Sequence, residues 1–224
     1  DPSKTPRLVI VDAAQGGRDA PQWTNANTGA WTNVVGRLNS AGVNSNQVQV
    51  IWIKQAIAGP SSLGAFPAHA AVLQNQLALI VRAARARFTN LTIVYLSSRT
   101  RSYAADATLN PEPYAYEGGF SVKWLIEQQL NGQLNYDPAH GPVEAPWLAW
   151  GPYLWADGTA GRSDGFVWEC SDLRPDFTHP SMSGVRKVAD QLLSFFKTDP
   201  TATPWFLRTS VTGAPPICAP TADT

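Results

Sequence analysis

Two short apolar runs, Val48 to Ile53 (VQVIWI) and Leu91 to Leu96 (LTIVYL), flank a long helical pattern from about Pro67 to Phe88. Continuous runs rich in β-branched and aromatic residues are typical of strands buried on both faces. Apolar residues at helical spacing predict the inner face of the helix: Val72, Leu73, Leu77, Ile80, Val81 and Ala84. A strand–helix–strand unit of this kind joins parallel strands through a right-handed crossover.

The same alternation extends along the rest of the chain. Arg7 to Ala13 (RLVIVDA) predicts another buried strand, and a helix marked by Trp31, Val34 and Leu38 follows it. The later elements are predicted in this order: a helix from about Glu117 to Leu130, short strands at Trp147–Trp150 and Phe166–Trp168, and an amphipathic helix after Pro180. The pattern predicts an α/β fold with a mostly parallel sheet covered by helices on both faces.

Length and composition limit the protein classes that fit. The 224 residues suffice for one sizeable domain, predicted over residues 1–207, with a Pro-rich tail at 208–224. There are 17 basic and 17 acidic residues and no basic stripe, which argues against a nucleic-acid partner. No apolar stretch approaches the roughly 20 residues of a membrane span. The abundance of Trp, Pro and Gly favours a secreted or periplasmic protein, and a start at Asp1 indicates processing or trimming.

Cys170 and Cys218 are the only cysteines in the chain. A disulfide between them would hold the Pro-rich tail and would fit an oxidising compartment. The alternative is a pair of buried free thiols.

The sharpest chemical pattern is Asp176-Phe177-Thr178-His179, which lies between prolines ahead of the final helix. An acid three residues before a histidine can hold the imidazole in one tautomer, and the imidazole can then activate a hydroxyl nucleophile. The alternative is that Asp176 caps a turn and His179 is a surface histidine. Segments that leave the carboxyl ends of parallel strands meet at one edge, so Gly16-Gly17, Gln55 and Ser97-Ser98 are expected near this motif.

These blocks resemble those of the SGNH hydrolases, the GDSL-like esterase group, including a secreted bacterial branch of it. The resemblance rests on Asp176-x-x-His179, on Gly16-Gly17, and on the stretches Asn110–Glu117 and Trp147–Trp155. It implies a three-layer flavodoxin-like fold without cofactor or metal. It also implies a His179–Asp176 catalytic pair, with the Gly17 N–H and the Gln55 amide as oxyanion donors. Gln55 stands where the family has an asparagine.

The family's nucleophilic serine block has no match in this chain. One interpretation makes Arg7–Ala13 the second family strand, so that the first strand and its serine lie upstream of Asp1. The other makes Arg7–Ala13 the first strand and places Gln15 where the serine should be. If a strand is missing, the open sheet edge is expected to bind an N-terminal fragment or another chain.

Other residue groups carry weaker expectations. The serines at 61, 62, 97 and 98 match no nucleophile motif, and Ser181 and Ser183 fit a helix cap. The three histidines lack metal-ligand spacing, so no catalytic metal is expected. Four aromatic residues suit either core packing or sugar stacking: Trp147, Trp150, Tyr153 and Trp155.

The sequence therefore predicts an extracellular ester hydrolase scaffold acting on O-acyl groups of carbohydrates or on small esters. The competing hypothesis is a non-catalytic binding or assembly protein with the same fold. The absent nucleophile favours the second hypothesis, whereas the intact Asp-x-x-His favours the first.

Overall fold

The computed structural model describes residues 1–208. They contain a three-stranded, all-parallel sheet in the order β1 (Val50–Ile53), β2 (Ile93–Leu96) and β3 (Trp147–Trp150). The helices are α1 (Gly29–Ser40), α2 (Ala68–Arg87), α3 (Tyr114–Leu130), α4 (Met182–Thr198) and the short α5 (Thr203–Phe206). The predicted α/β class is therefore confirmed. The tail from residue 209 onward lies outside the described residues.

Helices cover both faces of the sheet because side chains alternate along each strand. One face carries Ile53, Val94 and Leu148, which pack with residues of α1, α2 and α3. The other face carries Ile93 and Tyr95, which pack with Phe195 and Phe196 of α4 and with Trp205 of α5. Two apolar layers on a central sheet give the three-layer arrangement.

The strands are in register at their carboxyl ends. Ile53 lies opposite Leu96, and Leu96 lies opposite Trp150. The amide of Ser97 donates to Ile53 O at 2.9 Å, and the amide of Gly151 donates to Leu96 O at 2.8 Å. The segments after all three strands therefore begin at one common edge of the sheet.

Arg7–Ala13, predicted to be a strand, has no regular secondary structure, so this prediction is wrong. Val9 and Ile10 are 49% and 69% exposed, while Val11 and Ala13 touch the core beneath α1. The Arg37 guanidinium of α1 donates to Asp12 O and Ala14 O, both at 2.8 Å. A strand needs a hydrogen-bonded neighbour, and none of the described hydrogen bonds joins this segment to β1.

The segment is nevertheless held near both of its ends. At its start, the Thr5 amide donates to Phe206 O of α5 at 2.8 Å. At its end, Arg37 holds it against α1 on the opposite face. The segment therefore runs between the helical layer that contains α5 and the layer that contains α1. The outer edge of β1 has no paired strand among the described residues.

Two further sequence expectations differ from the structure. Phe166–Trp168 is a loop instead of a strand. Its Trp168 is buried, and the indole N–H is satisfied by donating to Leu154 O at 2.7 Å. The apolar stripe of α4 is incompletely covered. Within α4, all of which is described, only Gly184 is fully buried, and Val185 is 46% exposed.

The open edge of β1 should appear in amide hydrogen exchange. In a parallel ladder alternate residues bond to one neighbour. Since the carbonyls of Gln49 and Ile53 accept from β2, the amides of Val50 and Trp52 face the free edge. We expect these two amides to exchange much faster than those of Ile51 and Ile53 when exchange is followed by NMR. Equal protection of all four amides in a dilute monomer would contradict an open edge.

A buried hydrogen-bonded pair joins α2 to α3. His69 Nδ1 lies 3.0 Å from Glu117 Oε2, with side-chain exposures of 0% and 5%. Burial lowers the pKa of His69, although the hydrogen bond and charge of Glu117 act in the opposite direction. The pair occupies a site where neither group can be solvated, so each depends on the other.

Replacing Glu117 by Ala should lower the free energy of unfolding by about 1–3 kcal/mol, because the buried imidazole of His69 would lose its hydrogen-bond partner. Glu144→Ala is the matched control, since it breaks the exposed Arg82–Glu144 pair, with 2.9 Å between Arg82 Nη2 and Glu144 Oε2. That loss should be about 1 kcal/mol or less. Urea unfolding of both variants measures the difference, and equal losses would contradict the assignment.

Candidate functional site

The Asp176–His179 motif forms a hydrogen-bonded pair. His179 Nδ1 lies 2.9 Å from Asp176 Oδ2, as the spacing predicted. The other carboxylate oxygen of Asp176 accepts from the amides of Thr178 and His179, both at 2.9 Å. The carboxylate is thus fixed by the backbone of its own turn and in turn fixes the imidazole.

A tight loop holds this pair at its tip. Leu173 bridges Pro180 in antiparallel fashion, and the amide of Arg174 donates to His179 O at 2.7 Å. Phe177, between the acid and the histidine, has a φ of 55°. A non-glycine residue in this left-handed region costs on the order of 1 kcal/mol or more and is held there by its surroundings.

The surroundings that hold Phe177 come from the segment after β2. The amide of Tyr103 donates to Phe177 O at 2.8 Å, and the hydroxyls of Ser102 and Thr178 lie 2.7 Å apart. Ser102 and Thr178 are both buried. These contacts tie the loop to the carboxyl edge of the sheet. Sequence reasoning missed Ser102 because a single serine in an irregular stretch carries no motif.

A second attachment joins the loop to α4. The buried Asp172 carboxylate lies 2.5 Å from Lys187 Nζ and accepts from the Glu169 amide at 2.9 Å. Burial acts to raise the pKa of Asp172, but these bonds outweigh it and lower the pKa. A Cβ at Gly184 would overlap Asp172 O, so only glycine allows α4 to approach the loop this closely.

The electrostatics of the pair suit an orienting acid. Burial acts to raise the pKa of Asp176, but the amides of His179 and Thr178 and the imidazole lower it to about 2. The carboxylate is therefore ionised over the ordinary pH range. The His179 side chain is 54% exposed, and its Nδ1 is occupied by Asp176. Nε2 is the nitrogen that remains for a second partner.

The chain contains a second Asp-x-x-His with the same local geometry. His140 Nδ1 lies 3.0 Å from Asp137 Oδ2, and the Asp137 carboxylate accepts from the Ala139 amide at 2.8 Å. This pair lies in the connection before β3, on the amino side of the sheet, and the His140 side chain is 78% exposed. The motif by itself is therefore a local turn, and its position at the carboxyl edge distinguishes the His179 pair.

The predicted oxyanion residues are not brought into contact with the pair. Gly16 and Gly17 form an exposed turn, with Gly17 at a φ of 70°. Gln55 is half-buried after β1. No described hydrogen bond joins Gly16, Gly17 or Gln55 to Asp176 or His179. Their oxyanion role stays a prediction.

The serines have structural partners. Ser97 Oγ accepts from the Trp52 indole N–H at 2.9 Å, and Ser98 Oγ accepts from the Leu154 amide at 3.0 Å. Both serines are buried. Ser181 caps α4, as its position predicted. Within residues 1–208 no serine hydroxyl is hydrogen-bonded to His179. Gln15 is held by α1, since its amide donates to Ala30 O at 2.9 Å.

Aromatic side chains line a shallow groove of about 350 Å³ beyond the carboxyl end of β3. Its walls are Tyr116, Phe120, Trp150 and Tyr153, with Lys123 beside them. Trp155, which lies against Tyr116 at 4.6 Å between ring centroids, donates to Glu112 Oε1 at 2.9 Å. Trp147 packs instead against the α4 face. Sugar stacking in this groove stays a prediction for Trp150 and Tyr153.

Lys54 and Arg99 place two positive charges at the same edge. Lys54 follows β1 and Arg99 follows β2. Burial and, secondarily, repulsion from Arg99 lower the pKa of Lys54 from 10.5 to about 7. Burial likewise lowers the pKa of Arg99, while Glu112 and Asp176 act in the opposite direction. Sequence reasoning did not single out Lys54.

Comparison of the chain with protein-family models, with curated proteins and with solved structures found no match. The resemblance to the SGNH hydrolases thus remains one of short motifs.

Cys170 is exposed in the turn Cys170–Asp172, and its predicted partner Cys218 lies outside the described residues. Within residues 1–208 no group of three metal-ligating side chains is close enough to hold an ion. None of the described helices combines the length and apolarity needed to cross a bilayer.

The burial of Lys54 predicts a pH-dependent effect of Lys54→Met. An unfolded lysine titrates near 10.4, so between pH 7 and about 10 the folded state binds fewer protons, and its stability rises with pH. Below pH 7 the full cost of the buried charge is present. The stability gained by Lys54→Met should therefore be largest near pH 6 and shrink towards pH 10, as measured by urea unfolding.

Lys123→Met is the control, because Lys123 is exposed and pairs with Glu127 on the same helix. Lys123→Met should give no gain in stability that decreases as the pH rises. A Lys54→Met effect of the same size at pH 6 and pH 10 would show that Lys54 keeps an ordinary pKa.

Proposed function

We propose that this chain is the scaffold of an extracellular ester hydrolase of the SGNH type, acting on O-acyl esters of carbohydrates or of small molecules. The observation that carries the proposal is the His179–Asp176 pair fixed at the carboxyl edge of a parallel sheet. Ligands of such sheets bind at this edge.

The pair would act as the base in acyl transfer. Asp176 would hold the proton on His179 Nδ1, so that Nε2 is free to accept the proton of a serine hydroxyl attacking the ester carbonyl. The imidazolium would then give that proton to the leaving alcohol. Water would repeat the sequence to release the acid and regenerate the serine.

The serine itself would be supplied by a segment outside residues 1–224. Two observations support this part of the proposal. The outer edge of β1 has no paired strand within residues 1–208, and Val9 and Ile10 of Arg7–Ala13 are exposed. One additional parallel strand at that edge would pair the backbone of β1 and would end at the same carboxyl edge of the sheet. The Gly17 N–H and the Gln55 amide would then be oxyanion donors at the same edge.

The alternative is a non-catalytic binding or assembly protein that keeps this fold. Two observations favour it: no serine hydroxyl is hydrogen-bonded to His179 within residues 1–208, and the Asp-x-x-His geometry recurs at Asp137–His140. In that case the open β1 edge would bind a strand of another chain without any hydrolysis.

Hydrolysis of 4-nitrophenyl acetate distinguishes the two functions. The 224-residue chain should show turnover close to the uncatalysed rate, because base and oxyanion donors alone accelerate only modestly. A form extended by the natural upstream sequence should be active. His179→Ala should lower its kcat/KM by about 10³-fold or more.

His140→Ala is the matched control, because it removes a histidine in the same local geometry. It should leave kcat/KM of the extended form unchanged. An extended form without activity, or activity that survives His179→Ala, would favour the non-catalytic alternative. Full activity of the 224-residue chain would show that the nucleophile lies within it.

A further inference from the structure

The carboxyl edge of the sheet carries two partly buried cations without an anionic partner. Lys54 and Arg99 leave the ends of the paired strands β1 and β2. Among the described residues no carboxylate oxygen lies within 4 Å of either side-chain cation. Arg99 Nε is buried and has no hydrogen-bond partner. An orphaned charged donor of this kind indicates a missing acceptor.

The two nearest carboxylates are already bound elsewhere. Glu112 Oε1 accepts from the Ser102 amide at 3.1 Å and from Trp155 Nε1 at 2.9 Å, and Oε2 accepts from the Tyr116 amide at 3.0 Å. Asp176 is held by Thr178 and His179. Each carboxylate is thus already hydrogen-bonded, and Glu112 Oε1 also lies 3.7 Å from Arg101 Nε, so neither is paired with Arg99.

Two like charges brought together at a partly buried position are costly unless an anion joins them. Arginine binds planar or tetrahedral oxyanions through two parallel N–H donors, and a lysine beside it adds a compact charge. Both residues keep part of their surface exposed to solvent, although Arg99 Nε itself is buried. The arrangement therefore has the hydrogen-bond donors, the positive charge and the partial exposure to solvent that an anion site needs.

We propose that Lys54 and Arg99 form a binding site for a carboxylate, sulfate or phosphate group of a small molecule or saccharide. Both residues follow strands that end at the edge to which the His179 loop is tied, and Asp176 is close enough to Arg99 to act on its charge. The site itself stands on the two cations. Its assignment to the substrate rests on the proposed function: the ester would carry an anionic group, held by Lys54 and Arg99 while its carbonyl faces His179.

Titration of the 224-residue chain with inorganic sulfate, inorganic phosphate and acetate tests the site, with sodium chloride keeping the ionic strength constant. The Arg99 Nε–H signal in a ¹H–¹⁵N spectrum reports on the site directly. We expect it to shift saturably with at least one of these anions, with a dissociation constant in the millimolar range or below. The same anion should raise the melting temperature.

Variants separate the site from general charge effects. In Arg99→Gln and in Lys54→Met, an anion concentration at least tenfold higher should be needed to give the same rise in melting temperature. Arg99→Lys, which keeps the charge, provides a second variant if Arg99→Gln does not fold. Arg82→Gln is the control at an exposed ion pair and should leave the response unchanged. A linear shift without saturation, or equal responses in Arg99→Gln and Arg82→Gln, would overturn the proposal.

The link to hydrolysis needs a different readout. In the extended form, kcat/KM for mono-4-nitrophenyl succinate relative to 4-nitrophenyl butyrate should fall at least tenfold in Arg99→Gln, whereas His179→Ala should lower both rates together. Anion binding without ester turnover would support the anion site and contradict the proposed esterase function. Ester turnover with an unchanged ratio of the two kcat/KM values in Arg99→Gln would support the esterase function and contradict an anionic substrate.

Discussion

The parallel register of the three strands is the constraint on which the rest of the structure depends. Because Ile53, Leu96 and Trp150 are aligned neighbours, the residues that follow them all begin at one edge. For this reason Lys54, Ser97, Arg99 and Tyr153 share that edge, where Tyr116 and Phe120 of α3 complete the aromatic groove. The His179 loop joins it through the hydrogen bonds of Ser102 and Tyr103 to Phe177 and Thr178.

The two Asp-x-x-His motifs show how little a local motif decides. Both form the same side-chain hydrogen bond, at 2.9 Å for His179 and 3.0 Å for His140. They differ in what surrounds them. The His179 loop is fastened to the post-β2 segment and, through Asp172 and Lys187, to α4. Position, and not the motif, makes His179 the better candidate for a base.

The open β1 edge and the two unpaired cations share one physical character. In each case groups that are normally paired in a folded protein lack partners within residues 1–208. Backbone donors at a sheet edge can pair with another strand, whereas Lys54 and Arg99 can pair with an anion. Lys54 directly follows β1, so a parallel strand added at the open edge would end at the carboxyl edge of the sheet that also carries the two cations.

The sequence by itself determined the α/β class, the cores of β1 and β2, the strand β3, the helices α1 to α4 and the Asp176–His179 hydrogen bond. These follow from hydrophobic periodicity and from a three-residue spacing, both of which act over short distances. It misjudged Arg7–Ala13, because an apolar run becomes a strand only when a neighbour accepts its backbone bonds. The tertiary structure alone decided the convergence of Lys54 with Arg99 and the roles of Ser102 and Asp172. Those contacts join residues far apart in the chain, and no local pattern records which distant partner a buried polar group will meet.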